Sequence, residues 1–309
     1  MNLTDKKQIL NKFIVNEKIT IGVAAYGNIE ASKICLNKIF ESIQGDFELI
    51  LVDDCSPDKN QTKNLFLSVK NRHTNTKVFS FNKNKEYSES VNCILSHASG
   101  EKILFVSNDI FISPYYLKSI LEISKKMPNF GTIRGVSNFV DNNSKLHNID
   151  TKKEIQNLDQ INDFSERIYK NKQLSFFEEK FLTGDIFLVN KKALKKIGYF
   201  DNYFYGYFSD HDFGIRLRRS GYKLLVSEGA FAYHQKHSNF SYLDESSRKQ
   251  KLGTRWARVF ENWARFKIKY SLPVDLMYTG IKEIPWDELS KDFKENKFIN
   301  KIDYSKYLS

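Results

Sequence analysis

Acidic side chains follow two apolar runs in the first half of the chain. Asp53 and Asp54 come directly after the run 47–52, and Asp109 follows 102–106. At the end of a strand, a carboxylate can accept hydrogen bonds from ribose hydroxyls or a base N–H. It can also bind Mg²⁺ or a similar cation together with substrate phosphates. Asp is also a favoured turn residue, so an ordinary turn remains the alternative interpretation of each position.

A further acidic pair begins a predicted helix in the second half of the chain. Asp210 and Asp212 flank His211, and the last turn of the same helix carries Arg218 and Arg219. One of these carboxylates could act as a general base that takes the proton of an acceptor hydroxyl. Acids at the start and bases at the end of a helix also suit the helix dipole, so capping explains the pattern equally well.

Histidine and cysteine add little further chemistry. His234 follows a predicted strand and could join Asp109 on a metal ion, whereas a lone histidine is more often structural. The sequence has no zinc-binding spacing, no P-loop and no GxGxxG. The three cysteines, Cys35, Cys55 and Cys93, have neither CxxC spacing nor a disulfide framework, which favours a reducing cytoplasm.

The apolar pattern of the first half predicts the elements that would position these residues. Short apolar runs alternate with helical periodicity, which is typical of crossover units around a parallel sheet. Ligands of such sheets bind beyond the carboxyl ends of the strands, where the acids stand. The polar segment 141–175 is expected to be a surface insertion or lid. The predicted strands are 19–25, 47–52, 77–81, 102–106 and 131–136, the predicted helices are 30–43, 62–70, 87–97 and 114–126, and further ordered segments are 181–189, 191–197, 210–220 and 222–226.

A basic amphipathic helix is predicted over 246–270, before Pro273. Eight basic residues and one acid give this stretch a net charge of 8 − 1 = +7, more than half of the +11 of the whole chain. Apolar residues recur at spacings of three and four. The helix could pack on its own domain with a solvated basic face, or its basic residues could meet anionic lipid headgroups.

Composition excludes several classes of protein. With 41% hydrophobic and 14% aromatic residues in 309, the chain is neither wholly disordered nor collagen-like. The excess of 48 Lys and Arg over 37 Asp and Glu suggests an anionic partner. No nucleic-acid partner is expected, because the basic residues concentrate in one helix and no RRM, KH or helix-turn-helix signature occurs. No secretory signal or bilayer-length apolar run is found, so we expect a cytoplasmic protein that at most contacts the inner face of the membrane.

Taken in order, the motifs resemble those of the family 2 glycosyltransferases, and most nearly the rhamnosyltransferase-like branch of that family. The resemblance covers residues 18–240. The matching segments are the opening strand 19–25; VDDCSPD at 52–58, with Cys55 for the usual glycine; NKEYSESVN at 84–92, with Glu86 for glycine; 100–114, where only Asp109 of the DxD motif remains; 181–201; and 210–212, where Ser209 replaces the usual Glu.

The resemblance implies an α/β GT-A fold, Rossmann-like, with a mostly parallel central sheet, helices on both faces and a C-terminal helical extension. It divides the chain into an N-terminal extension (1–17), the GT-A domain (18–240) and the extension (241–309). It implies that Asp210 is the catalytic base and that Asp109 and His234 hold a metal. It further implies donor binding by Ala25, Tyr26, Asp53, Asp54, Asn84, Asn92, Asn108 and Asp109, and a sugar or acceptor pocket with Thr183, Gly184, Asp185 and Asp212.

The function implied is metal-dependent, inverting transfer of a hexosyl or deoxyhexosyl group in a bacterial cytoplasm. The donor would be a UDP-, dTDP- or GDP-linked sugar, and the cation Mn²⁺ or Mg²⁺. The acceptor would be a hydroxyl of a cell-surface glycan, a lipid-linked glycan or a protein, with peripheral membrane contact through 246–270. The alternatives are a catalytically inactive nucleotide-sugar-binding relative, since one acid remains of the DxD motif, and a basic nucleic-acid-binding protein.

Overall fold

The structure is a computed structural model. It describes residues 12–14, 17–140, 147–235, 245–291 and 296–309, without the side chains of 245–252 and Lys282. Most of the expected N-terminal extension therefore lies outside the described residues, as do residues 141–146. The side chains of several basic residues of the C-terminal helix are also outside the description.

Eleven strands and nine α-helices lie in the described residues. The strands are β1 (Phe13–Ile14), β2 (Ile19–Ala25), β3 (Ile43–Gln44), β4 (Glu48–Asp53), β5 (Thr76–Ser80), β6 (Lys102–Ser107), β7 (Ile110–Phe111), β8 (Phe130–Ser137), β9 (Phe176–Glu179), β10 (Ile186–Asn190) and β11 (Lys223–His234). The helices are α1 (Ile29–Ser42), α2 (Gln61–Arg72), α3 (Glu86–His97), α4 (Pro114–Lys126), α5 (Gln160–Lys172), α6 (Lys191–Ile197), α7 (Ser209–Arg219), α8 (Glu245–Tyr270) and α9 (Trp286–Lys291).

A nine-stranded sheet organises the fold, in the order β5-β4-β2-β6-β10-β8-β11-β7, with β9 paired to β11. Strands β2, β4, β5 and β6 are mutually parallel, and β8 and β11 run in the same direction as these four. Strands β7, β9 and β10 run the opposite way. The central strands are apolar and buried on both faces, which is why they read as continuous apolar runs in the sequence.

Helices cover both faces of this sheet, as expected. One buried layer joins α1, α2 and α4 to the strands. The other joins α3, α6 and α7 to the opposite face. The fold class predicted from the sequence, a mostly parallel α/β sheet with a C-terminal helical extension, is confirmed.

The segment 141–175 differs from the surface insertion or lid that its polar composition suggested. Within it, α5 packs on β11 and α4, and Ile161 and Phe164 are buried there. These few apolar residues stand one turn apart and form a narrow stripe. The surrounding polar residues face outward and obscured that stripe in the sequence, so 160–172 is a layer of the domain.

The C-terminal residues complete the domain rather than projecting from it. One face of α8 buries Val259, Trp263 and Phe266 against Phe204 and Phe208 from the loop before α7. The predicted amphipathic helix is thus correct, and its apolar face packs on its own domain. No helix in the described ranges has both the length and the apolar character needed to cross a membrane.

A buried ionic cluster joins α7 to α8. Asp212 is fully buried and accepts from Arg216 Nε at 2.8 Å and from the hydroxyl of Tyr270 at 2.7 Å. Lys269 of α8 forms an ion pair with it and with Asp201. Although burial raises the pKa of this carboxyl, Arg216 and Lys269 outweigh that effect and hold the pKa below its usual value. Asp212 therefore ties the two helices together.

Replacing Asp212 with Ala is expected to lower the free energy of unfolding by about 3 kcal/mol, because it leaves the buried Arg216 without its carboxylate and the partly buried Lys269 with Asp201 alone. Urea unfolding measures the loss. The control is Asp287→Ala, which removes a half-exposed partner of Lys180 and Arg218 and should cost less than about 1 kcal/mol. Equal losses in the two variants would contradict a structural role for Asp212.

Candidate active site

The loops after β2, β4 and β6 meet at one edge of the sheet, because neighbouring parallel strands end there. Ala25 is the register partner of Asp53. Ser56 after β4 accepts from the backbone N–H of Gly27 at 2.8 Å, and Asn108 after β6 donates to the carbonyl of Gly27 at 3.1 Å. The turns thus hold one another in place. The sequence prediction that these polar residues share an edge is confirmed.

The two acids after β4 are buried and turned into their own loops. Asp53 accepts from the backbone N–H of Ser56 at 2.9 Å, and Asp54 accepts from that of Lys85, at the start of α3, at 2.6 Å. Burial is the main cause that raises the pKa of both carboxyls, that of Asp54 to about 7. Asp54 therefore links the β4 loop to the segment containing Asn84, which is exposed and accepts from the N–H of Glu86.

Two positions where this sequence lacks the expected glycine have a left-handed backbone. Cys55 has φ 59° and Glu86 has φ 67°. Glycine adopts such angles without steric cost, whereas other residues are strained there. At Glu86 the side chain also forms an ion pair with Arg258 of α8, at 2.6 Å. The loop geometry that glycine would favour is thus retained in this chain by other residues.

The raised pKa of Asp54 predicts a pH-dependent stability. Between about pH 4 and pH 7 the folded protein binds a proton at Asp54 that the unfolded chain has released, so this carboxyl lowers stability as pH rises. Asp54→Asn keeps a hydrogen-bond acceptor for Lys85 and removes the titration. Relative to wild type, the variant should gain about 1–2 kcal/mol of unfolding free energy from pH 5 to pH 8. Urea unfolding at both pH values tests this, and a pH-independent difference would contradict it.

A cavity of about 680 Å³ opens beside this edge and contains most of the remaining candidate residues. Three carboxylates and two histidines line it, together with aromatic residues from the loop before α7 and from α8. The lining residues are Tyr87, Ser107, Asp109, Thr183, Gly184, Asp185, Gly206, Tyr207, Phe208, Asp210, His211, His234, Arg255, Trp256, Val259 and 278–281.

Asp109 and His234 face each other in this cavity. Strand β7 pairs with the end of β11, which brings the two residues together. The Nε2 atom of His234 lies 3.6 Å from Oδ2 of Asp109. Its Nδ1 lies 3.2 Å from the carbonyl of Phe139, an oxygen that can only accept, and this contact orients the ring with Nε2 toward Asp109.

This donor set fits a divalent cation that also binds substrate oxygens. A carboxylate oxygen suits Mn²⁺ or Mg²⁺, and an imidazole nitrogen favours the less hard Mn²⁺ of the two; such ions commonly complete their coordination with phosphate and water. In the described residues no group of three or more His, Cys, Asp or Glu could by itself hold a metal. The residues therefore suit a metal shared with a phosphate-bearing substrate.

Asp210 lies on another part of the cavity wall, in the first turn of α7. Its Oδ2 accepts from the backbone N–H of Gly184 and its Oδ1 from that of His211, each at 3.0 Å. Its side chain is 17% exposed. The hydroxyl of Tyr87 donates to the carbonyl of Gly184 at 2.7 Å, and a Cβ at Gly184 would stand 2.1 Å from that hydroxyl. A glycine is required for this close approach, and it fixes the carboxylate of Asp210.

Several predicted site residues lie elsewhere. Asp212, expected in the sugar or acceptor pocket, is fully buried in the α7–α8 ion cluster and does not line the cavity. Asn92, expected to bind donor, is buried on α3 and hydrogen-bonded to the backbone of Phe200. The family resemblance implies both roles, but a motif match does not show which way a side chain points. Tyr26 is 41% exposed beyond β2.

Sequence reasoning missed cavity residues that come from distant segments. Tyr87, Arg255 and Trp256 line the cavity, as do residues 278–281. Arg255 and Trp256 belong to the predicted amphipathic helix, but periodicity alone does not show which part of the domain a helix contacts. Arg134, behind the cavity, stands in an otherwise apolar strand and gave no signal beyond its charge.

The sequence matches a known protein-family model over the strand-end loops that carry part of the site. Residues 20–198 match Glycosyl transferase family 2, more than half of the chain. The chain belongs to this family. The matched region contains the loops after β2, β4 and β6 as well as Asp185, and it ends before Asp210. No curated protein matches the chain significantly.

Solved structures share the fold of this family 2 chain. S. aureus TarS 1–349 in complex with UDP-GlcNAc has a TM-score of 0.54 at 19% identity, covering 91% of this chain and 72% of its own. The mannosyltransferase PcManGT from Pyrobaculum calidifontis, in complex with GDP-Man and Mn²⁺, has a TM-score of 0.52 at 15% identity over 75% of this chain. This chain spans 62% of the PcManGT chain, less than two thirds. At these identities the likeness shows a common fold only.

Proposed function

We propose that this protein is a metal-dependent, inverting glycosyltransferase that moves a hexosyl or deoxyhexosyl group from a nucleotide-diphosphate sugar to an acceptor hydroxyl. One observation carries the proposal. The Asp109–His234 pair and the Asp210 carboxylate line the same cavity, beside the strand ends where the Asp53 and Asp54 loops meet. The cavity is large enough for a sugar. It is lined both by the residues that we assign to the leaving diphosphate and by the residue that we assign as general base.

The donor is assigned to the edge of the sheet that leads into this cavity. Ala25, Tyr26, Asp53, Asp54 and Asn84 would surround the nucleoside. Asp53 and Asp54 would act by holding the β4 loop and the start of α3 in place. Asn108 contributes by holding the Gly27 turn. Structural neighbours crystallised with GDP-Man or UDP-GlcNAc support a nucleotide-sugar donor, which in this chain we propose is UDP-, dTDP- or GDP-linked.

The cation is assigned to Asp109 and His234. When bound, Mn²⁺ or Mg²⁺ supplies positive charge that neutralises the diphosphate as it leaves. The Mn²⁺ in the PcManGT and GalNAc-T7 structures supports this choice of ion. The protein's own contribution is to hold the His234 ring beside Asp109 through the contact of its Nδ1 with the carbonyl of Phe139.

We assign Asp210 as the general base that takes the proton of the acceptor hydroxyl. The acceptor oxygen bonds to the anomeric carbon from the face opposite the diphosphate, the carbon–oxygen bond to the diphosphate breaks, and the configuration inverts. The N–H groups of Gly184 and His211 orient the carboxylate that takes the proton. Thr183 and Asp185 line the same cavity, and we assign them to the side of the cavity that receives the sugar. General-base help of this kind contributes a factor of about 10²–10⁴.

Thermal shift with a panel of nucleotide sugars tests donor binding. A ligand that binds only the folded state raises the melting temperature. We expect at least one of the UDP-, GDP- or dTDP-sugars to stabilise the protein, more strongly with Mn²⁺ than with EDTA. No shift with any of them would contradict the proposal.

The acceptor is proposed to be a cell-surface glycan, a lipid-linked glycan or a protein, reached from the cytoplasm beside the membrane. Support comes from the outer face of α8, where Phe260 and Ile268 are 52% and 73% exposed on a helix rich in Lys and Arg. Exposed apolar and basic side chains on one helix favour an anionic lipid surface.

Liposome co-sedimentation tests that contact. The wild type should bind vesicles that contain anionic phosphatidylglycerol and not vesicles of phosphatidylcholine. The double variant Phe260→Ser/Ile268→Ser, which removes apolar side chains outside the cavity, should lose most of the binding. Equal binding to both vesicle types, or none to either, would contradict membrane contact.

A further inference from the structure

A buried chain of polar side chains runs from the cavity into the sheet, and the sequence motifs account only for its cavity end. Asp109, His234 and Asp185 line the cavity. Behind Asp185 lie Arg134 and then His147, which are 3% and 0% exposed. A buried arginine is costly unless its charge and its donors are satisfied, so its partners indicate what it does.

Arg134 holds Asp185 with two hydrogen bonds. It projects from β8, and its Nη2 donates to both carboxylate oxygens of Asp185, at 2.9 Å and 3.1 Å. Because a single nitrogen reaches both oxygens, the carboxylate is held with its open end toward the guanidinium. The cationic and anionic charges compensate each other. Asp185 is thereby held in one orientation, and it lines the cavity.

His147 fixes the other side of the guanidinium. Nη1 of Arg134 lies 2.9 Å from Nδ1 of His147, and Nε2 of His147 lies 2.9 Å from Glu179. Because Arg134 can only donate, Nδ1 accepts and Nε2 carries the proton toward Glu179. Burial lowers the pKa of His147, and the charge of Arg134 acts in the same direction. The guanidinium is therefore held from both sides.

Asp185 in turn contacts both elements that would hold the cation. Its carbonyl accepts from the backbone N–H of Ser107 at 3.0 Å, two residues before Asp109. Its Oδ2 lies 3.8 Å from Nδ1 of His234. Asp185 thus places a negative charge close to the outer nitrogen of this imidazole, whose hydrogen-bond partner is the carbonyl of Phe139. Loss of groups that support a metal-binding histidine typically weakens metal binding by about 10–100-fold.

We propose that Arg134 is a positioning residue for the divalent cation: by fixing Asp185 it holds His234 and the turn containing Asp109 in a geometry that binds metal. The inference rests on the metal site of the proposed function. Lysine cannot replace Arg134 fully, since one ammonium group lacks the paired, planar donors that reach Asp185 and His147 together.

Mn²⁺ binding measured by electron paramagnetic resonance tests the inference without requiring turnover. The probes are Mn²⁺ alone and Mn²⁺ with UDP, GDP or dTDP. Arg134→Met is expected to bind Mn²⁺ about 10–100-fold more weakly than wild type, and Arg134→Lys at least about 3-fold more weakly. The second variant retains a positive charge for Asp185 and keeps the test valid if the first does not fold.

The matched control is Lys77→Met. Lys77 pairs with Glu48, a 3% exposed carboxylate at the amino end of β4, away from the cavity. This variant also removes the positive side chain that pairs with a buried carboxylate. It should nevertheless bind Mn²⁺ with an affinity within about 2-fold of wild type. Wild-type Mn²⁺ affinity in folded Arg134→Lys, or an equal loss in Lys77→Met, would overturn the inference. A wild-type protein that binds no Mn²⁺ would overturn the proposed metal site itself, and with it this inference.

Discussion

Asp210→Asn is expected to lower kcat for sugar transfer by about 10²–10⁴-fold, because an amide cannot take the proton of the acceptor hydroxyl. The substitution preserves the size of the side chain. It also keeps one oxygen for either the Gly184 or the His211 N–H, which now bind separate carboxylate oxygens. The local cost to stability should therefore be about 1–3 kcal/mol. Steady-state kinetics with the best donor of the panel measure the effect.

Measuring donor binding distinguishes loss of the catalytic base from loss of the folded structure. The dissociation constant of the nucleotide sugar should change by less than about 3-fold in Asp210→Asn, since the carboxylate is assigned to the acceptor and not to the diphosphate. A wild-type kcat in the variant would show that Asp210 is not the base. So would a loss of activity explained wholly by weaker donor binding.

Asp109→Asn is expected to lower kcat/KM for the donor at least about 100-fold, because it removes the one carboxylate assigned to the cation that neutralises the leaving diphosphate. The variant should also lose the Mn²⁺-dependent part of its affinity for nucleoside diphosphate. Isothermal titration with UDP, GDP and dTDP, each with Mn²⁺ and with EDTA, measures that part directly.

Asp287→Asn, at a surface ion pair, is the control for Asp109→Asn and should show wild-type metal dependence. If Asp109→Asn kept the same Mn²⁺ enhancement of diphosphate binding as the control, Asp109 could not be a metal ligand. Partial recovery of activity at raised Mn²⁺ concentration is expected, because His234 remains.

The sequence was sufficient to predict the parallel strands β2, β4, β5, β6 and β8, and the central ones were clearest because they are buried on both faces. Runs such as 19–25 and 102–106 are apolar and β-branched, and the intervening helices have clear periodicity. The helix α4 was predicted with its observed ends because Ser113 caps it and Pro114 occupies its first turn. The packing of α5 was harder to predict, because only a few apolar residues in a polar segment carry it.

Within the candidate site, strand ends were predictable and side-chain directions were not. Asp53 and Asp109 lie at the expected edge because parallel strands place their carboxyl ends together. Asp210 and Asp212 stand two residues apart in one helix, about 200° around its axis, so only one of them can face the cavity. Which one depends on α8, whose Lys269 pairs with Asp212. That contact spans 57 positions and leaves no local signal in the sequence.

Several basic residues of α8 have specific partners in the structure. Several bases of α8 serve the fold: Lys269 completes the buried cluster, and Arg258 pairs with Glu86 beside the cavity. Arg255 lines the cavity itself. The +11 of the sequence therefore does not form a uniform nucleic-acid-binding surface in the described residues, and part of it supports the candidate active site.

Release of nucleoside diphosphate from a panel of UDP-, GDP- and dTDP-sugars tests the central claim most directly. In the presence of Mn²⁺ and a mixed glycan acceptor, the wild type should release diphosphate from at least one donor, and EDTA should abolish the release. Asp109→Asn and Asp210→Asn should each release it at least about 100 times more slowly. Wild-type rates in both variants, or no release by the wild type from any donor, would contradict the assignment of this cavity as a glycosyl-transfer site.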